Sequence, residues 1–234
     1  GITGMLGGHC GASLAPLLYG SLDPLRKWTD PEAVNINWRT TAEFLQTLDN
    51  HRLGVRFGTL AGHTTIRQDI IGDDARDLTD NELDVCASLV ARAMDEGAYG
   101  ISFGLGYAHT QGVPYHELVM LGTEVAQRGG VISLHVRKIG SDLVQGVSEG
   151  LSLARDTGAP VFFAHLMPLR DAREEYQESL RLIDEARKDL PIFFGVYPFD
   201  SFALPLYSLL PTWAQRGSAA MMRKSLKDPW GRER

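Results

Sequence analysis
The chain has 234 residues, of which 44% are hydrophobic, 22% charged and 9% aromatic. That is ordinary globular composition, so disorder and a coiled coil are excluded, and no apolar run is long enough to span a bilayer as a helix. Lys and Arg number 23 against 29 Asp and Glu, a net charge of −6 without a basic cluster, which argues against a nucleic-acid partner.

Two cysteines, Cys10 and Cys86, cannot build a disulfide framework, so a reduced, cytoplasmic setting is the default. The chain opens inside an apolar run, Gly1-Ile2-Thr3-Gly4-Met5-Leu6, with neither an initiator Met nor a leader pattern, and so reads as an internal piece of a domain. Nothing in the sequence sets an oligomeric state.

Residues 2–6 make the first predicted strand. Thr40-Thr41-Ala42-Glu43 is a capping box that opens the first helix, and residues 55–60 make the second strand. Thr79-Asp80-Asn81-Glu82 repeats the box; Leu83, Cys86, Val90 and Ala93 follow on one helix face, which makes Cys86 a packing residue. Strand 100–103 precedes a helix marked by Leu118, Leu121 and Val125. Strand 131–135 precedes one marked by Val144, Val147, Leu151 and Ala154, closed by Gly158 in the left-handed conformation. Strand 161–165 precedes a fifth helix with Tyr176, Leu180 and Ile183, stopped by Pro191, and strand 192–197 ends the series.

These strands are short and rich in Val, Ile, Phe and Leu with little alternation, the pattern of strands buried on both faces. Six of them alternating with five helices predict an α/β fold with a parallel sheet, an incomplete (β/α)8 TIM-like barrel. The alternative is a doubly wound open sheet, but Gly4-Met5-Leu6-Gly7-Gly8 is not its phosphate loop, and no P-loop pattern occurs. Residues 1–197 form the partial barrel. Residues 198–234, with Leu204-Pro205 and Leu210-Pro211-Thr212-Trp213, carry no strand–helix period and read as an excursion after the last strand.

In a parallel barrel, functional side chains project from the C-terminal strand ends. His135 and His165 close two successive strands, Cys10 follows the first strand, and His63 lies just past the second. Two neutral imidazoles with a thiolate suit zinc. The competing reading of each histidine is a hydrogen-bonded residue of the sheet, and ligands drawn from different strands leave no spacing signature. His51, His109 and His116 fall in helix-end or loop contexts and are given no site role.

Gly8-His9-Cys10-Gly11-Ala12-Ser13-Leu14-Ala15-Pro16 resembles the Gly-Asn-Cys-Gly-x-Ser-x-Ala-Pro block of N-acyl-D-amino-acid deacylases (D-aminoacylases), in the amidohydrolase superfamily. Further blocks follow in the same order. Gly62-His63-Thr64-Thr65-Ile66-Arg67 resembles Gly-His-Gly-Thr-Leu-Arg. Residues 96–107, ending Gly104-Leu105-Gly106-Tyr107, resemble Glu-Gly-Ala-x-Gly-x-Ser-x-Gly-Leu-x-Tyr. His135-Val136-Arg137 resembles His-Met-Arg, and Ala164-His165-Leu166 resembles the start of Ser-His-Leu-Lys. Val196-Tyr197-Pro198-Phe199 resembles Val-Tyr-Pro-Tyr, and Leu210-Pro211-Thr212-Trp213 a later Leu-Pro-Pro-Trp.

The resemblance implies strands two to seven of a metal-dependent amidohydrolase barrel, with zinc at its mouth held by Cys10, His135 and His165. His63 and Tyr107 would act on the substrate or its developing oxyanion. Arg137 and Tyr197 would bind substrate, a barrel-rim salt bridge being the equal alternative for Arg137. The implied reaction hydrolyses the amide of an N-acyl-D-amino acid to a carboxylate and a D-amino acid.

The family's first-strand His-x-His pair and eighth-strand Asp are expected outside these residues, and Asp200 reads as a turn or surface residue rather than a substitute. Met167 stands where the family has its carboxylate-binding Lys, Lys138-Ile139 where it has Ser-Glu, and His9 where it has Asn. These departures leave two other readings open: an amidohydrolase acting on a cyclic amide or another amide or ester, and a catalytically silent ligand-binding homologue.

Overall fold
In the computed structural model, every strand pairing among the described residues is parallel, as the strand–helix alternation predicts. The structure describes residues 1–22, 25, 35–72, 74, 76–107, 109–197, 199, 201, 210–211, 214 and 219–232. Strand β1 (Gly4–Gly7) pairs with β2 (Arg56–Thr59) from Gly4↔Arg56 to Gly7↔Thr59. The second predicted strand, 55–60, is found as β2, and beyond Leu60 an unpredicted strand, β3 (Ala61–Gly62), opens a second sheet in the order β3-β4-β5-β6-β7. Its other members are β4 (Gly100–Gly104), β5 (Val131–His135), β6 (Val161–Leu166) and β7 (Ile192–Val196). Sequential parallel order is that of a barrel wall.

Both capping boxes form. Thr40 caps α1 (Thr41–Asn50) and Thr79 caps α3 (Asp80–Asp95), each with its glutamate returning a bond to the cap backbone. Leu83, Cys86, Val90 and Ala93 are the buried face of α3. Leu118, Leu121 and Val125 of α4 (Tyr115–Gln127) are fully buried, and Gly158 closes α5 (Leu143–Thr157) at φ 71°. In α6 (Arg173–Ala186) Ile183 is buried as expected, together with Ser179 and Ala186, Tyr176 packs partly buried against the core, and the helix ends at Ala186, before Pro191.

A helix not expected from the sequence, α2 (His63–Ile71), starts directly at the end of β3. Gly62 gives it no side-chain cap, and residues 63–67 are all buried, so neither a start signal nor a one-sided apolar period exists there.

One core fills the space between the five-stranded sheet and its helices. Ile101 and Phe103 of β4, Ile132 and Leu134 of β5, and Val161 and Phe163 of β6 pack there against Leu118, Leu121, Val147 and Leu151. Each such side chain contributes about 1.5–3 kcal/mol on burial. Alternate strand residues, Ser102 and Ser133 among them, lie on the opposite face. A second cluster of Ala15, Leu17, Leu22, Leu25, Trp38 and Phe44 seats α1, with the Trp38 indole donating to the Leu14 carbonyl at 2.7 Å.

Beyond β7, the described residues include two helices where no period was predicted, α7 (Ala219–Lys227) and α8 (Pro229–Arg232). Asp200, Leu204-Pro205, Thr212 and Trp213 lie outside the described residues. No helix among the described residues is long and apolar enough to cross a membrane.

Candidate metal centre
Cys10 sits in left-handed backbone, φ 58°, between Gly8 at 81° and Gly11 at 79°. That conformation costs a residue with a side chain about 1–2 kcal/mol, so the loop must be held from outside. The Gly11 amide donates to Ser102 Oγ at 3.0 Å, and the Thr65 amide to the Gly11 carbonyl at 3.1 Å. The Ser13 amide donates to Thr65 Oγ1 at 3.0 Å, and the Gly62 amide to Ser13 Oγ at 2.9 Å. Gly104, at the end of β4, has the Cys10 carbonyl against its Cα, leaving no space for a Cβ.

His135 is the last residue of β5, in register with Gly104. His165 reaches the same place by a different route. Ser133 pairs with Phe162 and Leu134 with Phe163, so in a regular pleat residue 165 would fall on the helix side with Phe163. A register shift between Phe163 and Leu166, with His165 at φ 44°, turns the imidazole instead toward His135.

The result is a compact donor set at the C-terminal strand ends. Cys10 Sγ is 2.7 Å from His165 Nε2, and the His135 and His165 rings lie 5.4 Å apart at 72°. One ligand atom from each of Cys10, His135 and His165 lies within 4.8 Å of the other two.

Burial pushes the Cys10 thiol up to about 11, against a smaller opposing effect of the Tyr107 hydroxyl. Burial, then the neighbouring His165, pulls His135 down to about 4. His165 is also lowered, by burial and then by His9. Both shifts favour the neutral imidazole, with its lone pair available, and a cation replacing the thiol proton would relieve the buried sulfur. Two neutral nitrogens and a sulfur fit a zinc ion by chemistry and by spacing.

Tyr107 belongs to this cluster. Its hydroxyl is 3.4 Å from His135 Nδ1, and its ring packs 4.8 Å from His135 and stacks on His109 at 5.9 Å and 7°. The stack depends on the turn after β4, so no local sequence pattern marks His109. His9 lines the inner face, with Nδ1 2.8 Å from Ser133 Oγ and its ring 5.9 Å from Phe162. Its place beside Cys10 in the first block was the available signal.

His63, Arg137 and Tyr197 are engaged with other partners. His63 is fully buried as the first residue of α2, its Nε2 2.7 Å from Glu117 Oε1 and its ring 5.1 Å from Phe103, a helix-facing side chain. It therefore belongs to the helix layer rather than the mouth, because the chain turns into α2 directly after Gly62. Arg137 is not available to a substrate carboxylate: its guanidinium meets both Glu149 oxygens at 2.9–3.1 Å and the carbonyls of Thr110, Gln111 and Val113. All five N–H donors are thus engaged, and the rim salt bridge is the arrangement found. Tyr197 follows β7, but its hydroxyl donates to the Ser201 carbonyl at 3.0 Å and its ring packs edge-on against Phe199.

No protein-family model matches the chain. It is 31% identical over 202 residues to an N-acyl-D-aspartate deacylase of Alcaligenes xylosoxydans xylosoxydans, covering 85% of this chain and 40% of the relative. It superimposes on the crystal structure of a D-aminoacylase, described as defining a subset of amidohydrolases, with TM-score 0.73 and 26% identity, over 85% of this chain and 42% of that one. A third match is an N-acyl-D-glutamate deacylase from Bordetella bronchiseptica, solved with zinc and a phosphonate mimic of the tetrahedral intermediate: TM-score 0.72, 26% identity, the same coverage. The chain spans about two fifths of the length of the curated relatives it matches. Over the residues that align, the chain is a homologue of N-acyl-D-amino-acid deacylases (D-aminoacylases) of the amidohydrolase type.

Proposed function
We propose that the protein is a zinc-dependent hydrolase of N-acyl-D-amino acids, and that residues 1–197 are the part of its barrel carrying Cys10, His135 and His165 as metal ligands, with 198–234 an excursion after it. The observation that carries this reading is the convergence of those three donors at the strand ends of a chain related to deacylases. When bound, zinc supplies Lewis-acid polarisation of the amide carbonyl and of the attacking water.

The chain's own residues do the rest of the work assigned to them. Cys10 and His165 are fixed by left-handed backbone and a bulge, so the donors are arranged before metal or substrate arrives. Tyr107, oriented by its stack on His109, offers a hydroxyl beside His135 that can donate to the oxygen on which charge develops. His9, held by Ser133, shapes the floor next to the sulfur. Both cysteines are free, so the Cys10 thiol is available as a donor.

A second reading is favoured by one observation. Met167 replaces the family's lysine and Arg137 is taken up by Glu149, so neither serves a substrate carboxylate. A neutral cyclic amide needs no such partner. The full-length protein is to be assayed with zinc against N-acyl-D-amino acids, their L isomers and hydantoin-like rings. Turnover of the D series that is lost in Cys10→Ala supports the proposal; turnover of the rings alone replaces it with the second reading; no zinc-dependent turnover of any of them refutes both.

A further inference from the structure
The Gly62-His63-Thr64-Thr65-Ile66-Arg67 block leaves an unexplained feature. Its two ionisable members point away from the mouth, into the helix layer, and meet a carboxylate there. Glu117 of α4 is 1% exposed and receives His63 Nε2 at 2.7 Å and Arg67 Nε at 3.0 Å on the same oxygen, Oε1. Arg67 continues to the Arg76 carbonyl at 2.6 Å. Burial works against the Glu117 charge, but the bonds and charges of His63 and Arg67 outweigh it and hold the carboxyl below its ordinary range. A buried ion pair contributes little net stability against an apolar replacement, so its usefulness here is sought in what it fixes.

It fixes the first turn of α2. His63 and Arg67 are one turn apart and both tie α2 to α4. Between them, Thr65 receives the Ser13 amide at 3.0 Å and gives its own amide to the Gly11 carbonyl at 3.1 Å. Thr64 Oγ1 lies against Gly11 Cα. The bonds that hold Cys10 in its left-handed conformation thus come in part from the turn that Glu117 anchors.

We propose that Glu117, through His63 and Arg67, is the positioning residue for Cys10: it locks α2, and α2 holds the loop that presents the sulfur. This rests on the reading of Cys10 as a metal ligand. Partners bonded directly to a metal ligand alter metal affinity about 10- to 100-fold when changed; Glu117 acts from further away, through α2, so a smaller effect is expected.

The test compares Glu117→Gln, Arg67→Lys and Leu121→Ala in the full-length protein. Leu121→Ala perturbs the same helix without touching the ionic cluster and serves as the stability control. Cobalt binding is followed by the thiolate charge-transfer band, and in metal-free protein the rate of Cys10 alkylation is followed separately.

Glu117→Gln is expected to weaken cobalt binding about 3- to 10-fold, below the range for a directly bonded partner, and to raise the alkylation rate, with Arg67→Lys intermediate and Leu121→Ala near wild type in both. Unchanged affinity and alkylation in Glu117→Gln, or equal effects in Leu121→Ala, overturn the proposal. If Glu117→Gln does not fold, the comparison of Arg67→Lys with Leu121→Ala decides in the same way. A wild-type protein lacking the thiolate band refutes the metal reading itself, while the alkylation rates still report whether Glu117 holds the loop.

Discussion

Gly106→Ala probes the donor set without touching a donor. A Cβ at residue 106 would lie 2.8 Å from His135 Nε2, 3.0 Å from its Cδ2 and 3.1 Å from the Val136 carbonyl oxygen. Ordinary contact begins near 3.4 Å, so the ring must retreat by 3.4 − 2.8, about 0.6 Å, or the turn after β4 must lift. The ring is hemmed in by Tyr107 on one side and His165 on the other. Crowding of this kind costs about 1–3 kcal/mol, against a gain of about 0.4–1 kcal/mol from a less flexible unfolded chain, so a modest net destabilisation remains. Metal binding is the sharper readout, because donors must stay within about 0.5 Å of working geometry. Zinc affinity should fall about tenfold or more, measured by competition with a chromophoric chelator alongside urea unfolding. Gly112→Ala, which meets nothing within 4 Å, is the control and should change neither. Wild-type zinc affinity in a folded Gly106→Ala protein would refute the claim that His135 must stand where the structure puts it.

Arg137→Lys leaves three donors where five are used, and should lower stability by about 2 kcal/mol in urea while leaving the KM for carboxylate substrates unchanged; the reverse pattern would restore Arg137 to the substrate. Phe163→Ala, fully buried between sheet and α5, should cost about 3–5 kcal/mol in chemical denaturation. Acid unfolding should depend on Glu117. Its carboxyl is lower in the folded than in the unfolded protein, so its contribution is complete above about pH 4.5 and disappears as pH falls through the folded value; Glu117→Gln should flatten that part of the stability–pH curve.

The strands were legible because each is a short apolar run, buried throughout in β4 and mostly so in β5 and β6, although β1 and much of β7 are exposed, and the helices that carry a cap or a one-sided stripe were legible by those local signals. What failed to show was set by three-dimensional surroundings. Helix α2 is buried around its whole first turn, so it has no stripe, and missing it put His63 at the mouth instead of under the sheet. The convergence of Cys10, His135 and His165 was anticipated from strand ends, but the means was not. Strict alternation would have sent His165 to the helix side, and only the bulge brings it back. Arg137 left two options open in sequence because its partner, Glu149, lies a helix turn or more into α5, and nothing local links the two.

The central claim is that Cys10, and not Cys86, supplies a thiolate to one metal ion shared with His135 and His165. Cys86 is fully buried on the packed face of α3, its thiol pushed up to about 12 chiefly by burial, and it has no place in the donor set. Cobalt titration of the full-length protein measures this directly. The account predicts a thiolate–cobalt band that is lost in Cys10→Ala, weakened in His135→Ala and His165→Ala, and retained in Cys86→Ala. A band that survives Cys10→Ala, or one that disappears with Cys86→Ala in a folded protein, would contradict it.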